Sequence, residues 1–255
     1  MSEARYMLEL AYRGTAYAGW QRQPNARSVE ETIDTALSTV LGAPIKLVGC
    51  GRTDAGVHAS DYAAHFDFGG KLPPRLLGRL NRYLPEDIAL RGLYEVSTDV
   101  HARFSATQRS YRYCISYAKD PFRPDTVAWL PQLRDLDRER MQEAAALLLA
   151  YDEFAPFCKT NSDAYTMRCT LTESRWDFGA EELCYRISAD RFLRGMVRLI
   201  VGMCLQVGTG QLQADEVRRA LDRQQRLPRP LSVPACGLFL TRVQYTRTSW
   251  CRLDS

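Results

Sequence analysis

Apolar side chains recur along the first hundred residues at two spacings, every second position or every third and fourth, and these spacings predict strands and helices. A strand is predicted over 5–14, where apolar and aromatic side chains alternate with polar ones. A helix is predicted to begin after Ser28, which forms a capping box with Glu31, and to end at Gly42. The remaining elements are strands over 45–49 and 62–68, a helix opened by Pro73 and Pro74, and a strand over 87–96. The order β-α-β-β-α-β is that of the ferredoxin-like unit, which RNA-recognition modules also use.

The same order of elements nearly repeats after about residue 105. These elements are a strand over 109–118, a helix over 137–150, a hairpin of strands over 167–178 and 182–189 around Gly179, helices over 192–207 and 214–224, and a strand over 237–245. We therefore expect an α+β fold of two ferredoxin-like halves, 1–105 and 106–255. Their sheets are expected to join into one extended antiparallel sheet with helices on one face. A central cleft between two such halves is the natural place for a binding site.

The composition is that of a globular protein, since 45% of the 255 residues are hydrophobic and 25% are charged. No run of about eighteen apolar residues is present, so no membrane span is expected. The first ten residues lack the cationic and then apolar pattern of a signal peptide, so we expect a cytoplasmic protein. The eight cysteines include no C-x-x-C pair, which favours reduced, mostly buried thiols over a zinc site.

The basic residues are strongly biased towards arginine. The formal net charge is only +4, yet four of the 34 basic residues are lysine and all the others are arginine. Arginine binds phosphate bidentately and stacks on bases, which lysine does not. A nucleic-acid partner and an arginine-biased genome explain this excess equally well. Composition therefore permits an RNA partner without requiring one.

The stretch GCGRTDAGVH, 49–58, is rich in glycine and suggests a phosphate-binding loop. A dinucleotide fingerprint needs a third glycine where Asp54 stands, and a P-loop needs lysine and a hydroxyl where Val57 and His58 stand. A carboxylate would also repel a phosphate. The alternative is a tight loop between two strands that holds Arg52 and Asp54. From spacing alone, an aspartate that caps the turn is favoured over a reagent.

The histidines raise two other kinds of site. His58, Asp61 and His65 could hold a metal ion, but no fixed ligand template fits them. The predicted strand over 62–68 also places His65 and Asp67 on its polar face, where such residues are expected anyway. A Ser-His-Asp hydrolase would need a G-x-S-x-G elbow, which the sequence lacks. We therefore expect no metal.

A longer stretch around the loop is similar to a known family. GRTDAGVHA, 51–59, resembles the signature loop of the tRNA pseudouridine synthase A family. Four further segments resemble the family's other motifs in the same order: YRGTAYAGWQRQPNARSVEE (12–31), FSATQRSYRY (104–113), FLRGMVRLIVG (192–202) and CGLFL (236–240). The similarity spans nearly the whole chain. It also agrees with the duplicated β-α-β-β-α-β pattern, because the family has a two-part fold.

The resemblance implies three catalytic residues. Asp54 matches the aspartate needed to detach uracil from its ribose, so that the base can rotate and rejoin through C5. A carboxylate suits this step because it can attack covalently or stabilise a cationic sugar. Tyr111 matches the tyrosine that lies against the target base, and Arg198 matches the arginine that pairs with the aspartate. Independently of the family, Arg198 lies in an apolar run where an unpaired charge would be costly.

Three further residues are implied to bind the substrate. Arg52 corresponds to the arginine that helps to extrude the uridine from its stem, and base flipping costs a few kcal/mol. Gly237 and Leu238 correspond to residues that line the pocket. No cofactor is implied, because the isomerisation is redox-neutral and releases nothing.

The family acts on uridines at positions 38, 39 and 40 of the tRNA anticodon stem-loop and works as a homodimer. The resemblance implies the same here, with tRNA recognised by shape and backbone. Four residues depart from the family's common pattern: Gly195 stands for histidine, Ser110 for a basic residue, and Asp61 and Tyr62 for Gly-Gln. The alternatives are a non-catalytic RNA-binding protein on the same scaffold and a metal-dependent hydrolase.

Overall fold

The structure is a computed structural model and describes residues 3–133, 135–160, 165–247 and 250–253. The strands are β1 (Ala4–Tyr12), β2 (Val48–Gly49), β3 (His58–Phe68), β4 (Ile88–Val96), β5 (Ala106–Ser116), β6 (Ala128–Trp129), β7 (Leu171–Phe178), β8 (Glu182–Ala189), β9 (Leu238–Tyr245) and β10 (Cys251–Arg252). The α-helices are α1 (Val29–Leu41), α2 (Leu76–Tyr83), α3 (Arg138–Leu147), α4 (Met196–Gly208) and α5 (Ala214–Asp222). The chain forms two compact units: a first unit of Met1–Thr107 with Leu240–Ser255, and a second unit of Gln108–Phe239.

The sheet of the first unit is built around β1. Antiparallel strands stand in the order β10-β4-β1-β3, and β9 lies beside β3. Leu8 in the middle of β1 is opposite Ala64 of β3 and Leu93 of β4. Met7 and Leu8 point to opposite faces of the strand, and both are fully buried. Both faces of this strand therefore contribute to the core.

Helix α1 begins and ends at the predicted residues because its signals are local. Ser28 Oγ accepts a hydrogen bond from the Glu31 amide at 3.2 Å, and Gly42 ends the helix with a left-handed φ of 68°. The Glu31 carboxylate lies 3.6 Å from the Arg22 guanidinium. The apolar side chains of Val29, Ile33, Ala36 and Leu37 form the buried face of the helix, with Ile33 fully enclosed.

The predicted strand over 45–49 is wrong for its first three residues, since β2 consists of Val48 and Gly49 alone. The reason lies in α1, whose side chains take the backbone donors that a ladder would use. The Ile45 amide donates to Ser38 Oγ at 2.9 Å, and the Leu47 amide donates to Asp34 Oδ1 at 2.8 Å. This contact buries the Asp34 carboxyl, and burial raises its pKa to about 6.

Strand β3 differs from the prediction in length and in burial. It begins at His58, four residues earlier than expected, and its predicted polar face is covered at His65, whereas Asp67 on the same face is exposed. His65 is only 3% exposed, and its Nδ1 accepts a hydrogen bond from the Ala102 amide at 3.1 Å. The segment between β4 and β5 therefore covers this face of the strand. A period of two identifies the faces of a strand but does not show what lies against each of them.

In the second unit, the antiparallel order is β5-β8-β7, and β6 pairs in parallel with β5. The predicted order of strand, helix, hairpin and helices is confirmed. Helix α4 begins at Met196 rather than at 192, because Gly195 before it has a left-handed φ of 70°. The two-residue strand β6 was not predicted, since so short a segment carries no periodicity.

The predicted α+β class is confirmed. Five of the eight cysteines are buried, and none of the eight, all of which lie within the described ranges, forms a disulfide. Among the described residues, no helix combines the length and apolar character needed to cross a membrane. Strand β9 passes from the second unit into the first at Leu240, whereas the predicted halves place all of 106–255 together.

Candidate catalytic loop and associated residues

The glycine-rich stretch forms a loop that leaves the sheet next to β3. Val48 and Gly49 pair with His65 and Ala64, and the Cys50 amide still donates to the Ala63 carbonyl at 2.8 Å. Beyond Cys50 the chain turns away, and it returns to the sheet at His58. The predicted tight loop between two strands is therefore confirmed.

Within the loop, a turn places Asp54 at its start. The Val57 amide donates to the Asp54 carbonyl at 3.2 Å, and Gly56 has a φ of 76°, which favours glycine. Arg52 is exposed, Thr53 is buried and Asp54 is half-buried. The loop thus holds the Asp54 carboxylate at the border between protein and solvent, with Arg52 two residues away on the exposed side.

A second segment, 14–20, packs against the loop through backbone contacts. The Trp20 amide donates to the Thr53 carbonyl at 3.2 Å, and the Gly56 amide donates to the Tyr17 carbonyl at 3.3 Å. Gly19 has a φ of 102°, and a Cβ there would overlap the Thr53 carbonyl. The close approach of the two segments therefore requires glycine at this position.

Three aromatic side chains support the loop from the sheet side. Trp20 and Tyr62 stack with ring centroids 4.0 Å apart, and Tyr12 meets Tyr62 edge-on at 5.5 Å. The Tyr12 hydroxyl lies 2.8 Å from Thr53 Oγ1. Tyr62 lies on the face of β3 opposite His65 and Asp67, and sequence reasoning missed that the hydroxyls of Tyr12 and Tyr62 bond to the loop. Only the motif segment 12–31, which contains Tyr12 and Trp20, pointed to these aromatic residues.

Tyr111 lies on β5 in the second unit, opposite Ile187 of β8. Its ring is half-buried and meets the edge of Phe192 at 5.0 Å, with an interplanar angle of 86°. The predicted strand is confirmed, and Tyr113 two residues later is fully buried. Tyr111 is therefore the more accessible of the two tyrosines on this face.

Arg198 lies in the first turn of α4, a helix whose other residues are almost all buried. Its Nε donates to the Val233 carbonyl at 2.7 Å, and the Val233 amide donates back to the Arg198 carbonyl at 3.3 Å. The Val233 backbone thus provides this guanidinium with a hydrogen-bond acceptor, as the cost of an unpaired charge predicts. The pairing with Asp54 that the resemblance implies stays a prediction.

Gly237 and Leu238 lie where a short 3-10 turn, Ala235–Gly237, enters β9. A Cβ on Gly237 would lie 2.6 Å from the Cys114 carbonyl and 2.9 Å from the Tyr113 ring. Leu238 is only 6% exposed. Glycine is thus required here for close packing on β5, while the implied role of both residues in lining a pocket stays a prediction.

The residues of the metal alternative are engaged in other bonds. His58 Nδ1 accepts from the Gly14 amide at 3.0 Å, and Asp61 Oδ2 accepts from the Val243 amide at 2.9 Å. Burial, followed by the nearby charge of Arg5, lowers the pKa of His65 to about 4. Within the described ranges, three potential ligand atoms come within 4.8 Å of one another in a different place, at the Cys114, Glu182 and Cys184 side chains of β5 and β8.

The four departures from the family pattern have local structural roles. A Cβ on Gly195 would lie 2.7 Å from the Lys159 side chain, so the lysine stem occupies the space beside this glycine. Ser110 Oγ accepts from Ser188 Oγ at 2.8 Å across β5 and β8. Asp61 binds the backbone of β9, and its pKa is raised by burial. The Tyr62 hydroxyl donates to the Gly51 carbonyl.

Comparison with known proteins identifies close relatives over almost the whole chain. Residues 144–246 match the family model described as tRNA pseudouridine synthase. The chain is 46% identical over 247 residues to tRNA pseudouridine synthase A of Porphyromonas gingivalis, with 95% of this chain and 97% of the relative covered. It is 42% identical over 248 residues to the protein of the same name in Bacteroides fragilis, with 96% and 98% covered. The protein of that name in Synechocystis sp. is 40% identical over 252 residues, with 94% and 89% covered.

Proposed function

The chain belongs to the tRNA pseudouridine synthase A family, and we propose that it converts uridine to pseudouridine at one or more of positions 38, 39 and 40 of the tRNA anticodon stem-loop. It is an isomerase that acts on tRNA. The specific positions are proposed from the motif resemblance. Substrates that carry uridine at only one of the three positions would separate them, by mapping pseudouridine along each product.

We propose Asp54 as the reagent. The bond between N1 of uracil and C1′ of ribose breaks, the base rotates, and a bond from C5 to C1′ forms, while the C5 proton leaves to solvent and N1 takes up a proton. A carboxylate can serve as the nucleophile or can stabilise the cationic sugar. The observation that carries this assignment is the position of Asp54 in the matched motif, on a turn that holds it half-buried beside exposed Arg52. Such partial burial leaves a carboxylate reachable by a flipped nucleoside.

The other residues are proposed in supporting roles. Exposed Arg52 is a planar cation on the same loop and suits the extrusion of the uridine. Half-buried Tyr111 would lie against the base, and Arg198 would pair with the Asp54 carboxylate, as the resemblance implies. Gly237 and Leu238 would line the pocket. No cofactor is needed, since no electrons are gained or lost in the reaction.

One experiment tests both the activity and the role of Asp54. tRNA labelled with tritium at uridine C5 is incubated with the wild type, with Asp54→Asn, and with the control Asp215→Asn, an exposed residue of α5. We expect release of tritium by the wild type and the control, in the presence or absence of chelator, and none by Asp54→Asn. Binding of tRNA should persist in Asp54→Asn.

Each alternative predicts a different result. Binding of tRNA without release by any variant would favour a non-catalytic RNA-binding protein. Loss of activity with chelator would favour the metal-dependent alternative. Release by Asp54→Asn at the wild-type rate would contradict the assignment of Asp54 while leaving the activity in place.

We also propose that the protein is a cytoplasmic homodimer that grips tRNA by shape and phosphate contacts, as the resemblance implies. Sedimentation equilibrium should then give twice the mass of the chain. Affinity for tRNA should fall steeply with salt, because each phosphate contact releases counterions. A flat salt response would instead attribute the arginine excess to genomic composition.

A further inference from the structure

Tyr62 is the departure from the family pattern whose side chain bonds to the loop that carries Asp54. Its side chain is fully buried, stacked on Trp20 and edge-on to Tyr12. Phenylalanine would fill the same volume and make the same ring contacts. Any role particular to tyrosine therefore depends on the hydroxyl group.

That hydroxyl extends the pairing between the loop and β3 beyond the last backbone bond. The Cys50 amide donates to the Ala63 carbonyl, and after this bond the chain leaves the ladder. The carbonyl of the following residue, Gly51, accepts from the Tyr62 hydroxyl. A side chain of β3 thus holds the loop three residues before Asp54.

The Tyr62 hydroxyl occupies space that is open only because residue 49 is glycine. A Cβ on Gly49 would overlap both the Tyr62 hydroxyl and the Trp20 indole nitrogen. The absence of a side chain at Gly49 therefore lets the Tyr62 ring reach across the start of the loop. This makes the hydroxyl contact part of the packing of the loop and not a chance approach of a flexible side chain.

The other end of the stretch before Asp54 is held independently. The Tyr12 hydroxyl contacts Thr53 Oγ1 at 2.8 Å, and the Trp20 amide donates to the Thr53 carbonyl at 3.2 Å. With Gly51 bound by Tyr62, both ends of the three residues that precede Asp54 have fixed positions. The direction of the Asp54 side chain depends on these backbone torsions, and a misplacement of about 1 Å can cost about a hundredfold in rate.

We propose that Tyr62 is a positioning residue for Asp54, acting through the Gly51 carbonyl. The proposal rests on the proposed role of Asp54 as the reagent. The hydroxyl restricts the loop to the conformation that aims the carboxylate, and it does not touch the substrate itself. Its loss therefore slows the chemical step and leaves the binding of tRNA in place.

The test compares Tyr62→Phe with Tyr185→Phe. Tyr185 is also fully buried, and its hydroxyl lies 2.7 Å from Ser174 Oγ in the second unit. Each variant loses one buried hydroxyl contact and keeps its ring. We expect kcat for pseudouridine formation to fall about tenfold or more in Tyr62→Phe, with KM and tRNA affinity within about twofold of wild type. Tyr185→Phe should keep the wild-type kcat despite a comparable fall in Tm.

Hydrogen exchange measured by mass spectrometry gives a readout that does not depend on activity. We expect peptides that cover 51–56 to exchange faster in Tyr62→Phe than in wild type or in Tyr185→Phe. An unchanged kcat in Tyr62→Phe, with wild-type exchange of this loop, would overturn the proposal. If the wild-type protein forms no pseudouridine, the proposed function is contradicted instead. In that case the exchange measurement still tests the contact: a loop that exchanges in Tyr62→Phe at the same rate as in the wild type would overturn the positioning role of Tyr62.

Discussion

The loop between β2 and β3 and the turn between β7 and β8 both contain glycine and both join antiparallel strands, but different bonds close them. At the β7–β8 turn, the Gly179 amide donates to the Glu182 carbonyl at 2.8 Å, and residues 179–181 are exposed. At the Asp54 loop, the backbone pairing ends at Cys50, and hydroxyl groups and a neighbouring segment hold the rest.

The difference shows where each conformation comes from. A turn closed by its own backbone bond is specified locally and tolerates change on its exposed side. A loop held by Tyr12, Trp20 and Tyr62 takes its shape from residues far away in the sequence. Support from distant residues allows the loop to place a half-buried carboxylate accurately. An exposed hairpin turn has no such support.

The largest loss of stability should come from a substitution that fills the space beside Gly49, which the Tyr62 and Trp20 side chains occupy. Gly49→Ala would drive a methyl group into Tyr62 and Trp20, so we expect the free energy of unfolding to fall by about 3 kcal/mol. Gly51→Ala is the matched control two residues away, because a Cβ there would meet no atom within 4 Å. Urea denaturation measures both variants. Equal losses would show that the loop is not held by the aromatic residues.

A smaller effect on the free energy of unfolding should follow from a change of pH, through the protonation of His65, which pairs with Val48 at the base of the loop. Burial lowers the pKa of His65 from 6.5 to about 4, and the charges of Arg5 and His101 contribute. The unfolded chain therefore binds more protons between these values. The stability contributed by His65 is complete above pH 6.5 and is lost as the pH falls from 6.5 to about 4.

Denaturation of wild type and His65→Asn at pH 7 and pH 4 isolates this contribution. The difference in stability between the two proteins should shrink as the solution is acidified. The raised pKa of Asp34 acts in the opposite direction between about 4 and 6, since it favours the folded state at low pH, and it is present in both proteins. A difference independent of pH would show that His65 is not held neutral by burial.

A third effect concerns the Tyr12–Thr53 contact. Tyr12→Phe removes a buried hydroxyl and leaves Thr53 Oγ1 behind, which should cost about 1–2 kcal/mol in the free energy of unfolding. A double-mutant cycle with Thr53→Val isolates the pair. Additive effects of the two substitutions would mean that the contact does not couple the loop to β1.

The smallest effect is expected at the β7–β8 turn. Insertion of two glycines after Ala180 lengthens an exposed turn and should change the free energy of unfolding by less than about 1 kcal/mol. The same insertion after Ala55 should abolish pseudouridine formation, because it shifts the Asp54 turn away from its partners. Thermal denaturation and tritium release measure the two outcomes. If both insertions were tolerated equally, the Asp54 loop would be no more dependent on its distant contacts than the β7–β8 turn.

Prediction from the sequence succeeded where the signals are local. The ends of α1 follow from Ser28 and Gly42, whose effects reach only a few residues along the chain. It failed at 45–47, where Ser38 and Asp34 of α1 capture the backbone amides, and at the start of α4, where Gly195 takes a left-handed conformation. These outcomes depend on contacts or torsions that apolar periodicity does not encode.

In the candidate site, too, some residues could be predicted from the sequence and others only from the structure. The motif in 51–59 predicts Asp54 and Arg52 as site residues, because a long run of specific residue types can be read without a structure. Thr53 and Tyr62 were not singled out as supports for the loop, since a buried threonine and a strand tyrosine look like ordinary core residues. Only the approach of their hydroxyl groups to their partners shows what they do.

By itself, the sequence determined the order of strands and helices, the α+β class and the residue types offered for chemistry, because these depend on periodicity and on short-range signals. The tertiary structure decided how GCGRTDAGVH is held. The Gly51 carbonyl leaves the backbone ladder and finds its donor on Tyr62, eleven residues further along the chain. A carbonyl that leaves the ladder and is half-buried must find another donor, and which donor it meets is settled only when the segments pack.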